Sequence, residues 1–201
     1  MSSVDLFVRH FLGIYFLIIG LHYTSRSLGL YERMRFSHIH YGRRGSGGWW
    51  HRQLFNLFRA SILVVCLVRV LYDIDTYLGV FPLLYQPPIL VAGVLCLLVS
   101  FFLIDYIQAY MHQDWRSGID EAGPSHLITG GPYARRRHPM FLSILLGQFG
   151  FFLALPSVFT AICLAVGVVV IIRQALAEER ALAAHFGEAW QAYASQTRRW
   201  M

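Results

Sequence analysis

Gly130-Gly131-Pro132-Tyr133-Ala134-Arg135-Arg136-Arg137-His138-Pro139-Met140 lies between two long apolar runs, and an acidic pair, Glu178-Glu179, follows downstream. The glycines permit tight backbone turns, and Pro132 fixes the φ of its own step. Pro139 suits the first turn of a helix, where its missing N–H costs nothing. His138 then falls at the cap position. Backbone donors, the positive end of the helix dipole and Arg137 converge there, which makes a competent anion site. A turn, three arginines and a histidine therefore gather at the edge of what reads as a membrane.

The membrane reading comes from composition. The chain of 201 residues is 56% hydrophobic and only 14% charged, with a mean hydropathy of +0.49. Soluble domains carry about a quarter charged residues. All 17 basic residues are arginine, giving a formal charge of +6; the absence of lysine fits a GC-rich genome. Cys66, Cys96 and Cys163 fall inside apolar runs without CxxC spacing or a paired histidine. They read as small buried hydrophobes, not as a disulfide or zinc site. Nothing resembles a cleavable signal peptide: the first apolar run follows Asp5 with little basic flank, so it is expected to be a retained span.

Five apolar segments stand out, at about Leu6–Tyr23, Leu54–Leu71, Pro88–Tyr110, Pro139–Leu155 and Ser157–Ile172. Each approaches the ~20 residues a helix needs to cross a bilayer. The predicted fold is an all-α integral membrane protein of about five transmembrane helices in one domain, 1–201. Residues 1–110 form a three-helix part with a basic loop at 24–53. Residues 111–201 form the second half, ending in a helical hairpin with a helical extension. The last two spans, joined by Leu155-Pro156-Ser157, are expected to pair antiparallel. Arginine-rich segments alternate with arginine-free ones along the chain. The positive-inside pattern then predicts an outside N-terminus and a cytoplasmic C-terminus; the membrane is expected to be a bacterial inner membrane.

Arg59 and Arg69 within the second span are expected to snorkel to opposite membrane edges, and Asp105 to face the cytoplasmic site. Gly42-Arg43-Arg44-Gly45-Ser46-Gly47-Gly48 lacks the order of a nucleotide-binding loop and no strand precedes it, so it reads as a basic tether beside lipid headgroups. Trp49-Trp50 are placed as interfacial anchors. No nucleic-acid partner is expected; the bilayer itself is.

The fifth helix continues in period as Arg173-Gln174-Ala175-Leu176-Ala177-Glu178-Glu179-Arg180, with Gly187 as its stop. Pairing of the last two helices brings their bases together, so His138 and the glutamates are expected in one pocket. An anion site beside a carboxylate pair suits a zwitterion, such as the amino-acid end of a cofactor. Taken singly, each element is ordinary: arginines mark topology, Glu-Glu-Arg solvates a helix, a histidine caps. Their conjunction in this order points to a site.

Gly131-Pro132-Tyr133, then Arg137-His138-Pro139-Met140, a hairpin, and Glu178-Glu179 with Phe186-Gly187 and Tyr193 resemble the isoprenylcysteine carboxyl methyltransferase family, within the wider group that includes phospholipid methyltransferases. Trp115-Arg116-Ser117-Gly118-Ile119-Asp120 is similar to a segment of its bacterial members. The resemblance covers about 111–199. It implies S-adenosylmethionine as methyl donor at the cytoplasmic face. It further implies Gly131, Tyr133, His138, Pro139, Glu178 and Glu179 as cofactor-binding residues, and His138, Arg137 and Glu179 as the catalytic group. Methyl transfer from a sulfonium needs no metal. The implied acceptor is lipidic or a small hydrophobic molecule bearing a carboxylate, amine or thiol. Phe141 departs from the family, where tyrosine is frequent, and Ala134-Arg135-Arg136 is more basic than usual. The first half resembles nothing further. A nicotinamide-dependent membrane reductase is the second reading, since sterol reductases resemble the same region, and a non-catalytic scaffold is the third.

Overall fold

The computed structural model describes residues 3–34, 44–112, 124 and 126–200. Among them the chain is helical throughout, with no strand beyond two isolated bridges. α1 (Ser3–Met34), α2 (Gly47–Leu71), α4 (Pro87–Met111) and α6 (Val158–Phe186) are long and apolar enough to cross a membrane. α5 (Pro139–Ala154) is apolar but shorter, with 16 residues. α3 (Asp75–Leu78) and α7 (Glu188–Gln196) are short polar pieces at opposite ends. The protein is thus multi-pass, and among the described residues four long spans and one shorter apolar helix stand at the five places where apolar helices were expected.

Local chemistry sets the boundaries. Ser46 caps α2, accepting from Trp49 N at 3.2 Å. Prolines open α4 and α5. Ser157 and Thr160 form a reciprocal capping box at α6. The segment 24–53, expected as a loop, is partly helix: α1 runs on to Met34 and α2 starts at Gly47. The reason is that Thr24–Met34 holds no proline and keeps helix-compatible residues after leaving the apolar run. Gly42 and Arg43 of the basic tether, Arg35, and the Trp115–Asp120 motif lie outside the described residues. Trp49 and Trp50 pack edge to face at the start of α2, with Trp50 exposed.

α4 is the central helix. Tyr15 of α1 donates to Leu97 O at 2.8 Å, buried, and Phe16 meets Phe151 of α5 at 4.9 Å. On its other side α4 lies against α5 almost backbone to backbone. A Cβ at Gly150 would stand 2.8 Å from Cys96 Cβ and 3.0 Å from Gly93 O. Larger residues there would push the helices apart, and in lipid such close packing is a main source of helix association. Ser100 Oγ continues the seam, donating to Ser143 O at 2.7 Å. The principal partner of α5 is therefore α4, with α6 second, where the sequence had paired α5 with α6.

The two ends of the bundle differ in charge. At one end Asp5, Arg9, Arg69, Asp73, Asp75 and Tyr85 form a knot joining α1, α2 and the connection to α4. Arg69 is 1% exposed. It bonds Asp75 at 2.6 Å, and its guanidinium also meets Asp5 and the Tyr85 hydroxyl. Arg9 binds Asp75 at 2.6 Å and Asp5 at 3.2 Å. The expectation that Arg69 snorkels to the edge is overturned, because carboxylates from two other segments reach it inside the fold. Arg59 instead lays its guanidinium over the Tyr23 ring at 4.4 Å. The hairpin tip docks at the same acidic end, where Phe81 N bonds Pro156 O at 2.9 Å and Val158 N bonds Gly79 O at 3.0 Å.

Arg69→Met is expected to destabilise the purified protein by about 3–5 kcal/mol, the cost of leaving buried carboxylates without their partner. Thermal unfolding in detergent measures it; a Tm within one degree of the parent would show the knot to be dispensable.

Candidate functional site

The other end gathers Arg26, Arg44, Arg135, Arg136, Arg137, Arg180, Arg198 and Arg199, and here α5 begins. Before it, Gly131–Tyr133 form a single 3-10 turn. Gly131 has φ +54, and a Cβ there would stand 2.6 Å from Tyr110 Cζ. Both the conformation and the approach of α4 require glycine. Tyr133 is the other clasp onto α4: its hydroxyl donates to Met111 Sδ at 3.2 Å. Burial raises its pKa, with the Glu178 charge adding to the shift, so the phenol stays protonated.

His138 occupies the N-cap of α5 but makes no side-chain cap. Its ring turns instead to α6. Nε2 lies 3.1 Å from Glu179 Oε1, a contact between residues far apart in sequence. Pro139, the first residue of α5, is buried. The imidazole is 5% exposed, stacked on Phe141 at 5.4 Å and covered by Trp200 at 5.5 Å. Burial lowers the His138 pKa below its ordinary 6.5, against the opposing pull of Glu179. The ring is neutral at pH 7.

Glu179 is the hub. Arg199 forks it, Nε to Oε1 at 2.9 Å and Nη2 to Oε2 at 2.7 Å. Arg137 Nη1 stands 3.4 Å from Oε1. With both arginines charged, Glu179 is ionised. His138 Nε2 then carries the hydrogen, leaving Nδ1 as the basic atom. Bonding to Glu179 raises the Arg199 pKa further. Glu178, one step along the helix, points elsewhere: it accepts from Gln174 Nε2 at 3.0 Å and acts electrostatically on Tyr133. The two glutamates therefore face different neighbours, as the ~100° step between helix residues requires.

The C-terminal tail closes the group. Arg198 pairs in a short parallel bridge with Arg136. Arg137 N donates to Arg198 O at 2.9 Å and Arg198 N to Arg135 O at 3.2 Å. Tyr193 of α7 donates to Tyr133 O at 2.8 Å. A cleft of about 370 Å³ opens beside Glu179, lined by Leu176, Arg180, Ala183, Trp190 and Arg199. Arg137 Nε is buried with no hydrogen-bond partner among the described residues.

Arg137, His138 and Glu179 are thus brought into direct contact, while Gly131 and Tyr133 lie against α4 and Glu178 on the side of Tyr133. Asp105 turns away to α1, where His22 Nε2 is 3.3 Å distant. Sequence reading missed Arg199 and Trp200. Arginines at a membrane boundary read as topology markers, and no local pattern separates the one that forks a carboxylate. Among the described residues no cluster of histidine, cysteine and carboxylate has the form of a metal site.

Neither a curated relative nor a solved structure matches the chain. A family model described as phospholipid methyltransferase matches residues 88–189, just over half of the 201 residues. The match begins at α4 and ends in α7, taking in the Gly131–Pro139 stretch, the hairpin and both glutamates. By this match and the helical membrane fold that carries it, the chain belongs to the phospholipid methyltransferase family of membrane methyltransferases.

Proposed function

We propose that the protein is an S-adenosylmethionine-dependent methyltransferase that modifies an amine on a membrane lipid at the cytoplasmic face of a bacterial inner membrane. The observation that carries this reading is the contact of His138, Arg137 and Arg199 with one carboxylate, Glu179, beside an open cleft. Orientation follows from charge: arginines outside the acidic knot collect at the site end, and the positive-inside tendency turns that end to the cytoplasm.

The donor set fits the amino-acid end of the cofactor. Glu179 suits its ammonium. Arg137, with a buried Nε lacking a partner, suits its carboxylate. The cleft falls within the ~300–1,000 Å³ of small-molecule sites. Gly131 and Tyr133 hold the turn against α4, Pro139 opens α5, and Glu178 acts on Tyr133 through its charge. The bound cofactor supplies an electrophilic methyl group on a sulfonium.

The remaining work falls to the chain. Holding the acceptor in line and near the donor can lower the barrier by several kcal/mol, roughly ten in ideal cases. An amine must also lose a proton. Neutral His138, with Nε2 held by Glu179, accepts it at Nδ1. Phe141 and Trp200, both packed against the ring, exclude water, which strengthens the local electrostatics.

Calorimetric titration with S-adenosylhomocysteine should show saturable binding, weakened about 10- to 100-fold in Glu179→Gln, the equivalent of a charge-assisted hydrogen bond. His138→Gln should bind it within about threefold of the parent yet lose on the order of 100-fold in turnover, as expected of a lost general base. Binding of NADPH alone would move the assignment to a reductase; binding of neither ligand would remove the enzyme reading.

Because His138 titrates below 6.5, turnover should be level around pH 7. It should fall as the pH drops through that lowered value, where the ring takes up the proton that disables it. The acid limb should vanish from the residual activity of His138→Gln. A profile unchanged by the substitution would sink the base assignment.

A further inference from the structure

A second polar cluster lies where α1 meets α2 and α4, built mainly by residues that precede the family-matched segment. His22, Tyr23, Arg26 and Ser27 occupy one face of α1, at the spacings that place side chains together on a helix. Tyr23 meets Arg59 of α2, and His22 and Arg26 approach Asp105 of α4. Arg26 Nη1 is 3.8 Å from Asp105 Oδ1, and His22 Nε2 is 3.3 Å from the same atom without hydrogen-bond geometry. Arg59 lies over the Tyr23 ring at 4.4 Å.

Two donors here are unused. Arg26 Nε and Ser27 Oγ are buried and find no hydrogen-bond partner among the described residues. Burying a polar group unpaired costs about 1–3 kcal/mol, more when it is charged. Among the described residues the cluster holds two arginines against a single carboxylate, which leaves it electropositive. Donors in excess, a hydroxyl and two guanidinium groups are the chemistry that receives a phosphate oxyanion.

Its depth is also informative. α4 and α5 run antiparallel, with Gly93 against Gly150 and Ser100 against Ser143. Continued along both helices, that register brings the start of α5, and so His138, level with the last two turns of α4, where Asp105 sits. The cluster and His138 therefore stand at the same depth on the same membrane face.

We propose that Arg26, Ser27 and Arg59 form a seat for the phosphate group of a membrane phospholipid. For its purpose this rests on the proposed function, since the seat would hold an amine-bearing lipid at the level of the methyl donor. As a binding site it stands apart and is tested without methyl transfer. Asp105 limits the affinity for a bare anion and offers a counter-charge to a cationic headgroup.

The test is native mass spectrometry of the detergent-purified full chain with phosphatidylethanolamine, phosphatidylglycerol and a diacylglycerol of the same acyl chains. Both phospholipids should bind at least tenfold better than diacylglycerol. Ser27→Ala and Arg59→Gln should each reduce that preference severalfold, and Arg26→Gln should reduce it most. Asp105→Asn should tighten phosphatidylglycerol, whereas a purely structural ion pair would predict loss. S-adenosylhomocysteine affinity in each variant reports an intact fold and keeps failure of the seat separable from failure of the cofactor reading. Equal retention of diacylglycerol, or full retention of phospholipid by Arg26→Gln and Arg59→Gln together, would overturn the proposal. Displacement of the lipid by millimolar inorganic phosphate would assign the seat to the free ion and overturn the lipid source.

Discussion

The Glu179 carboxylate is the point at which three otherwise separate stretches of chain are held. α6 carries it. The start of α5 reaches it through His138 and Arg137, and the tail reaches it through Arg199. The consequences spread outward from that oxygen pair. The tail, once fixed, adds backbone bonds to Arg135 and Arg137. α7 adds the Tyr193 bond to Tyr133, whose own hydroxyl reaches Met111 on α4. One acidic group thus organises a polar surface running from α4 to the C-terminus. In surroundings of low dielectric, removing it would leave three basic side chains facing one another.

The opposite end is organised by the same physics with the signs exchanged. There two arginines are enclosed by three aspartates and a tyrosine, and the hairpin tip is pinned to the Gly79–Phe81 turn. Between the ends, α4 and α5 are fused along Gly93, Gly150, Ser100 and Ser143. The acidic knot and the fused middle fix the helices along most of their length, and at the arginine-rich face the ties of α5 and the tail to α6 run through the one carboxylate of Glu179. Opening with the least loss of buried contact is expected at such a face.

The spans were legible because a bilayer imposes a length and a polarity that few sequences meet by accident. Their edges were legible where chemistry punctuates them: Pro139, Ser157 and Gly187. The approach of His138 to the acidic pair followed from a hairpin that returns the chain to its starting level. The glutamate that faces the histidine was not legible, because the roll of α6 is set by packing against α5 and α2 and not by its own residues. The acidic knot was also hidden. Arg69 meets Asp5 and Tyr85 only after three segments assemble, and read alone it looks like an arginine near a helix end. Arg199 was hidden likewise, as one basic residue among many at a boundary. The central place of α4 depended on glycines whose meaning appears only when a second helix lies against them.

The brevity of α5 bears on the membrane itself. Its 16 residues rise about 24 Å, against a hydrocarbon layer of about 30 Å. The tip is pinned at the far end, so the shortfall falls at the end that carries His138. A mismatch of that size is met by a local dimple in the leaflet. Lipids bordering α5 would then ride lower than their neighbours, with their headgroups drawn down toward the histidine. On the proposed reading of a lipid acceptor, bilayer thickness becomes a variable of the reaction: a thin membrane delivers lipid to the site without distortion, and a thick one must first be deformed.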